Sequence, residues 1–139
     1  MIVQGQTTIF KQNLLSGLED FSSSSPYIYS IALYTANAEL NAATLTYTSL
    51  NEVSGLGYVA GGKMLTTIAP SSSGSTAYVS FDNVSWVGVS FLCRGALIYN
   101  YTTNAAVAVL DFGSDKTASG TFTVTFPPST ATTAVIRLS

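Results

Sequence analysis

The residues best placed to do chemistry lie in one glycine-rich stretch, Gly57-Tyr-Val-Ala-Gly-Gly-Lys63, whose spacing matches the first part of a phosphate-binding loop. Such a loop turns backbone N–H groups at a helix N-terminus onto a phosphate, and a Ser or Thr hydroxyl after the lysine holds magnesium. Met64 stands where that hydroxyl is needed, and the following Leu65-Thr-Thr-Ile-Ala-Pro70 reads as a strand stopped by proline. The stretch is therefore expected to be a structural turn and not a nucleotide site. Asp111-Phe-Gly113 carries the metal-binding tripeptide of protein kinases, but the chain has no catalytic-loop signature and is about half the size required. Asp111 and Asp115 could offer two oxygens to Ca²⁺, a cation that wants about six to eight, so capping of a turn is the simpler reading.

There is no histidine, which removes the commonest general base and the commonest metal ligand, and leaves no imidazole to activate a serine or cysteine. Glu39, Glu52 and Asp82 are the loop acids from which a glycosidase pair would have to come, and nothing in their spacing selects two of them. No enzymatic activity, cofactor or metal is expected. Trp86 and the eight tyrosines could stack on sugars, yet Tyr27, Tyr29, Tyr34, Tyr78 and Tyr99 fall in strand-like runs, where half-buried packing is the ordinary use of the ring. What remains for the glycine stretch is shape: Gly55, Gly57, Gly61 and Gly62 permit turns, and Tyr58 and Val59 form an apolar anchor between them.

The elements that must hold this loop are mostly strands. At 139 residues the chain is expected to make a single domain with one core. We divide it into an N-terminal arm over 1–6, a helix over 7–21 with Thr7 or Thr8 as its cap, and a β-sandwich or jelly-roll-like antiparallel unit over 27–139. Phe10, Leu14 and Leu18 recur at helical spacing and form the apolar face of that helix, which Gly17 weakens. Tyr27 to Tyr34 reads as a central strand. Short strands follow near 44–49 and 63–68, with a hairpin loop at 70–74, and Val87, Val89, Phe91 and Cys93 alternate with Trp86, Gly88, Ser90 and Leu92. A strand over 105–112, a turn through 113–120, a strand over 121–126 and a last one over 134–138 complete seven or eight.

Only 9% of residues are charged, five basic against seven acidic for a net charge of −2, where an ordinary globular chain has about 25%. Ser, Thr and Asn cover the surface instead, and such a chain lacks the self-repulsion that keeps monomers apart. The scattered lysines and arginines make no basic patch, so nucleic acid is not an expected partner. No apolar run approaches the roughly 20 residues of a membrane-spanning helix, and no secretory signal is read at the N-terminus. Cys93 is alone, which fits synthesis in a reducing cytoplasm.

The run Ser49-Leu-Asn-Glu-Val-Ser-Gly-Leu-Gly-Tyr-Val-Ala-Gly-Gly-Lys-Met-Leu65, with Phe10-Lys-Gln-Asn-Leu-Leu-Ser-Gly-Leu18, Ile31-Ala-Leu-Tyr-Thr35, Arg94-Gly-Ala-Leu-Ile-Tyr-Asn100 and the stretches 106–116 and 120–126, resembles a family of small tailed-bacteriophage proteins. Members are encoded among virion structural genes and carry labels such as head-decoration, fibre or tail protein. The resemblance implies a non-enzymatic virion component made in the host bacterial cytoplasm, a capsid decoration or cement protein, or else a tail, collar or fibre-adaptor part. Its expected partners are further copies of itself, as a trimer, and the major capsid protein or other virion proteins. A receptor- or glycan-binding module displayed on the particle is the expectation of another class. The residues expected to make assembly contacts are Phe10, Leu14 and Leu18 on the helix, and Glu52, Gly55, Gly57, Tyr58, Val59, Gly61, Gly62 and Lys63 on the loop.

Overall fold

The computed structural model describes all residues 1–139. In chain order the elements are β1 (Gly5–Gln6), α1 (Thr8–Leu15), β2 (Tyr29–Tyr34), β3 (Lys63–Met64), β4 (Thr67–Ser73), β5 (Thr76–Phe81), β6 (Val84–Asn100), β7 (Ala106–Val124) and β8 (Ile136–Leu138). They form two antiparallel sheets, one of five strands in the order β1-β7-β6-β2-β3 and one of three in the order β4-β5-β8. The main core lies between them and contains 21 buried residues, among them Phe10, Phe21, Phe81, Trp86, Phe91 and Phe126. This is the β-sandwich with one short N-terminal helix that the alternating patterns predict.

Several boundaries differ from the sequence reading, each for a local reason. The helix is not 7–21 but Thr8–Leu15. Thr7 caps its start, accepting the Phe10 N–H at 3.2 Å. Its end is a Schellman motif: Gly17 has φ +73, its N–H reaches Leu14 O, and the Leu18 N–H reaches Asn13 O at 2.8 Å. Gly17 is thus the stop signal and not a weak point inside the helix. The 1–6 arm is folded onto the domain, since Ile2 bridges Leu40 and Gly5 and Gln6 pair with Val109 and Ala108. Pro70 lies inside β4, an edge strand, where the register slips between Ile68 and Ser71 because proline has no N–H to give the ladder. The stretch 44–49 is loop, its one backbone pairing with the sheet being the isolated bridge Thr46↔Ala105.

The largest difference is that β6 and β7 form one long ribbon, paired from Tyr99↔Ala106 to Val84↔Val124, where a turn over 113–120 had been expected. The glycines of that stretch are absorbed as irregularities. Between Cys93↔Lys116 and Gly95↔Asp111 the extra residues of β7 bow out around Gly113, φ +83. A second irregularity leaves Gly88, φ +68, as the extra residue between Val87↔Thr121 and Val89↔Gly120. It resets the alternation, so Trp86 and Val89 both point inward and Val87 faces solvent at 75% exposure.

The two faces of this ribbon are treated differently along its length. Near the Tyr101–Ala105 turn the outer face is covered by a second, smaller core in which Ile2, Ala38 and Leu40 pack on Leu97, Tyr99 and Val109. Farther out, beyond Arg94, only the inner face is buried, by the main core. There the outward rows are Ser85 beside Thr123, Val87 beside Thr121, Ser90 beside Ser119 and Leu92 beside Thr117.

Candidate functional site

The glycine stretch is built into the sheet. Its arms pair with the free edge of β2: the Val53 N–H donates to Leu33 O at 2.9 Å, Tyr34 bridges Glu52, and β3 then pairs with Ser30 and Ile31. Between those arms, residues 54–62 leave β2 and run against the backbone of β6, where Leu56 O accepts the Ser90 N–H at 3.0 Å. Close approach is the reason for the glycines. A Cβ on Gly55 would lie 2.6 Å from Ser90 O, one on Gly57 2.7 Å from Gly88 O, and one on Gly62 1.8 Å from Ile31 O. Gly57, Gly61 and Gly62 also take positive φ of 82°, 96° and 79°, whereas Gly55 does not.

Glu52 is the centre of the arrangement. Its Oε1 accepts the Tyr47 hydroxyl at 2.5 Å, and its Oε2 accepts the Tyr58 hydroxyl at 2.5 Å and the Gly61 N–H at 2.8 Å. The Tyr58 oxygen in turn accepts the Leu33 N–H at 2.9 Å, so a phenol fills the gap in the β2 edge that the excursion leaves open. Tyr99 donates to Gly61 O at 2.7 Å and stacks on Tyr47 with ring centroids 4.8 Å apart, and Tyr34 donates to Thr48 O at 2.6 Å. Burial, followed by the nearby Glu52 carboxylate, pushes the Tyr34, Tyr47 and Tyr58 phenols far above their ordinary value and Tyr99 up to about 12. All four are therefore protonated donors at neutral pH. The cluster clamps a loop, and three of the roughly four acceptor sites of the Glu52 carboxylate are taken by it.

The sequence-selected residues are therefore distributed unevenly. Tyr58 points inward, against Phe91 at 5.8 Å and Trp86 at 6.3 Å, while Val59 is 73% exposed at the turn. Lys63 donates to Ser85 O at 2.6 Å and lies over the Trp86 ring, which ties the loop's end to β6. Phe10 is fully buried in the monomer's own core and Leu14 packs partly against it, whereas Leu18 lies beyond the Schellman cap and is 52% exposed. The three do not form one face. Tyr34, Tyr47 and Tyr99 were missed as members of the clamp; the available signal was a glutamate flanked by tyrosines five residues before and six after it.

A second polar cluster was missed altogether. Past the helix stop, Glu19 is 6% exposed, and its Oε1 accepts from Asn100 Nδ2 at 2.7 Å and the Tyr29 hydroxyl at 3.2 Å. Its Oε2 is buried without a partner. Burial raises the carboxyl above its ordinary 4.5, and the two hydrogen bonds offset only part of that. The folded chain thus keeps this proton to a higher pH than the unfolded one. The stability it lends is complete below pH 4.5 and is lost as pH rises through the raised value. Glu19→Gln stays neutral and keeps one oxygen acceptor, so its denaturation midpoint should fall less than that of the native chain between pH 5 and 8. Parallel midpoint-against-pH curves would remove Glu19 as the cause.

The remaining candidates offer no reactive constellation. Asp111 Oδ1 accepts the Gly113 N–H at 2.9 Å and faces Arg94 Nε at 3.2 Å, and these hold its carboxyl below the usual range. One of its two partners is thus already a cation. No cluster of three or more Cys, Asp or Glu side chains that could hold a metal ion is present. The Cys93 thiol is buried and pushed up to about 11, which makes it a poor nucleophile. An open groove of about 750 Å³ runs between β1, β7 and the C-terminal strand, with Lys11, Asp111 and Arg137 among its lining. Arg137 is engaged with Thr132 O, and no nucleophile and base face each other across the groove. No helix is long and apolar enough to cross a membrane. No protein-family model matches the chain, and neither a curated protein nor a solved structure matches it.

Proposed function

We propose that the chain is a non-enzymatic structural component of a tailed-phage virion, a capsid decoration or cement protein acting through contacts with its own copies and with the major capsid protein or other virion proteins. The observation that carries this reading is how the reactive side chains are used. Glu52 is held by three internal donors, Glu19 is sealed in the core and Asp111 is paired, so the carboxylates nearest to other polar groups serve the fold, and the acids left on the surface, Glu39, Asp82 and Asp115, are not gathered into a cluster. The motif resemblance supplies the phage setting. A protein that binds only the assembled shell stabilises that shell by mass action.

A tail, collar or fibre-adaptor position satisfies the same geometry. A displayed glycan-binding module is less well supported, because Trp86, the ring best suited to stack on a sugar, is 2% exposed and packed against Tyr58 and Phe122. The test is mass spectrometry and a density map of purified particles from a phage encoding this chain. The expected result is a symmetric set of copies on the head. Absence of the chain from clean particles would overturn the proposal.

A further inference from the structure

We propose that residues 18–27 form a strap over the main core and that the proton on Glu19 is its latch: the strap is shut while the Glu19 carboxyl is neutral and is released when that carboxyl ionises. Backbone pairing does little to close it. From Glu19 to Tyr27 the only backbone–backbone hydrogen bond is the turn from the Ser25 N–H to Ser22 O, inside the strap itself. Its ends are fastened. On one side the Leu18 N–H reaches Asn13 O after Gly17, and on the other the Ile28 N–H reaches Thr102 Oγ1 while Ile28 O accepts the Tyr101 N–H. Between those ends only Glu19 and Phe21 are buried.

The two anchors differ in kind. Phe21 fills a slot between α1, β2 and β5, stacked on Tyr29 at 4.5 Å and edge-on to Phe10 at 5.9 Å and Phe81 at 6.2 Å. Glu19 is satisfied through one oxygen only: Oε1 accepts from Asn100 and Tyr29, and Oε2 is buried without a partner. A neutral carboxyl tolerates that orphan position, whereas a carboxylate does not, because burying an uncompensated charge costs far more than burying a polar group. No cation compensates. The last turn of α1 has no basic residue, β2 offers the Tyr29 phenol, which burial keeps protonated, and β6 offers the neutral Asn100 amide. The strap itself carries Asp20, whose carboxyl Ser22 holds below its usual range, so a negative charge already stands beside Glu19 when it ionises.

Swinging the strap out hydrates Glu19 and gives up Phe21 and the Asp20 N–H bond to the Tyr29 hydroxyl at 3.0 Å. The balance moves with pH in one direction. Opening becomes about tenfold easier per pH unit above the ordinary 4.5 and levels off above the raised value of the closed state. It occurs within the folded chain, at a lower free energy than unfolding, and uncovers the rings of Phe10, Tyr29 and Phe81.

Native-state hydrogen exchange of the Asp20 amide from about pH 4.5 to about pH 8, corrected for its intrinsic rate, reads this opening. In the native chain its protection should fall about tenfold per pH unit before levelling off. It should also lie well below that of Ala32 and Leu97, paired in the β2–β6 ladder, and change little at low guanidinium concentrations that lower theirs. Glu19→Gln should hold one protection value across the range. If that variant does not fold, chymotrypsin tests the native chain alone: the first cut, normalised at each pH to a free peptide of residues 17–29, should fall after Phe21 or Tyr27 and speed up between about pH 5 and about pH 7. An Asp20 amide as protected and as guanidinium-sensitive as Ala32, a pH slope that persists in Glu19→Gln, or a first cut elsewhere would each overturn the proposal.

Discussion

Gly62→Ala is expected to be the most damaging small substitution in the molecule. The new Cβ would lie 1.8 Å from Ile31 O, 2.7 Å from Ile31 C and 2.8 Å from Ala32 Cα. All three are backbone atoms of a strand buried along its whole length, so no side chain can swing away to make room. Its φ of +79° adds a conformational cost that L-residues meet in the left-handed region. Together these should cost about 4 kcal/mol or more, a large share of the roughly 5–15 kcal/mol that holds a domain together. The melting midpoint should fall by on the order of 10 °C. Gly74→Ala is the control, because its φ is +60° with nothing within 4 Å of the added carbon. That change should cost only about 1–2 kcal/mol. Equal losses at the two sites would mean that φ alone, and not the approach to Ile31, makes Gly62 necessary.

Removing the Glu52 carboxylate should have the second largest effect. Glu52→Ala strands the Tyr47 and Tyr58 hydroxyls and the Gly61 N–H, all half-buried, and should cost about 3 kcal/mol. Glu52→Gln should cost about 1 kcal/mol, since one amide oxygen can still serve Tyr58 and Gly61 while Tyr47 turns to accept from the amide nitrogen. Hydrogen exchange adds a local readout: the Leu33 and Gly61 amides, which the clamp holds through Tyr58 and directly, should lose protection first in the alanine variant. Lys63→Ala, which breaks only an exposed contact to Ser85 O and a cation–π contact, should stay within about 1 kcal/mol of the native chain. If Glu52→Ala is as mild as Lys63→Ala, the clamp does not hold the loop.

What the sequence made legible was local. Over the expected strand 121–126, Thr121, Thr123 and Thr125 are exposed while Phe122, Val124 and Phe126 turn inward, the period of two that the sequence carries there, and the run from Tyr27 to Tyr34 marked a buried strand flanked on both sides. The glycine stretch was recognisable as shape without chemistry. Its target was not, because the atoms that forbid a Cβ on Gly55, Gly57 and Gly62 belong to strands reached only through the tertiary fold. The expected alternation over Trp86 to Cys93 breaks because one residue, Gly88, resets it and puts Trp86 on the same face as Val89, and nothing in a single sequence separates such a glycine from one in a turn. Glu19 followed from a misread stop: a helix continued past Gly17 leaves it at the solvent end, whereas the Schellman turn swings it in toward Asn100, 81 residues away. The apolar Leu18 after Gly17 was the available cue.

The ribbon also dictates an order of assembly. Tyr99 and Ala106 meet across a short turn, and each further rung toward Val84 and Val124 closes a loop only slightly longer than the last, so these strands can zip from one end with little added entropy. Apart from the local β4–β5 hairpin, the other elements join that ribbon from a distance. Strand β2 must return to the Gly95–Asn100 segment, and Thr7 fastens the helix to Val107 across 100 residues of chain. In a protein made from its N-terminus onward, the strand that receives β1 is thus among the last to emerge, and until then the helix has only nearby partners, Phe21 against Phe10 and Ala42 O on the Thr8 N–H.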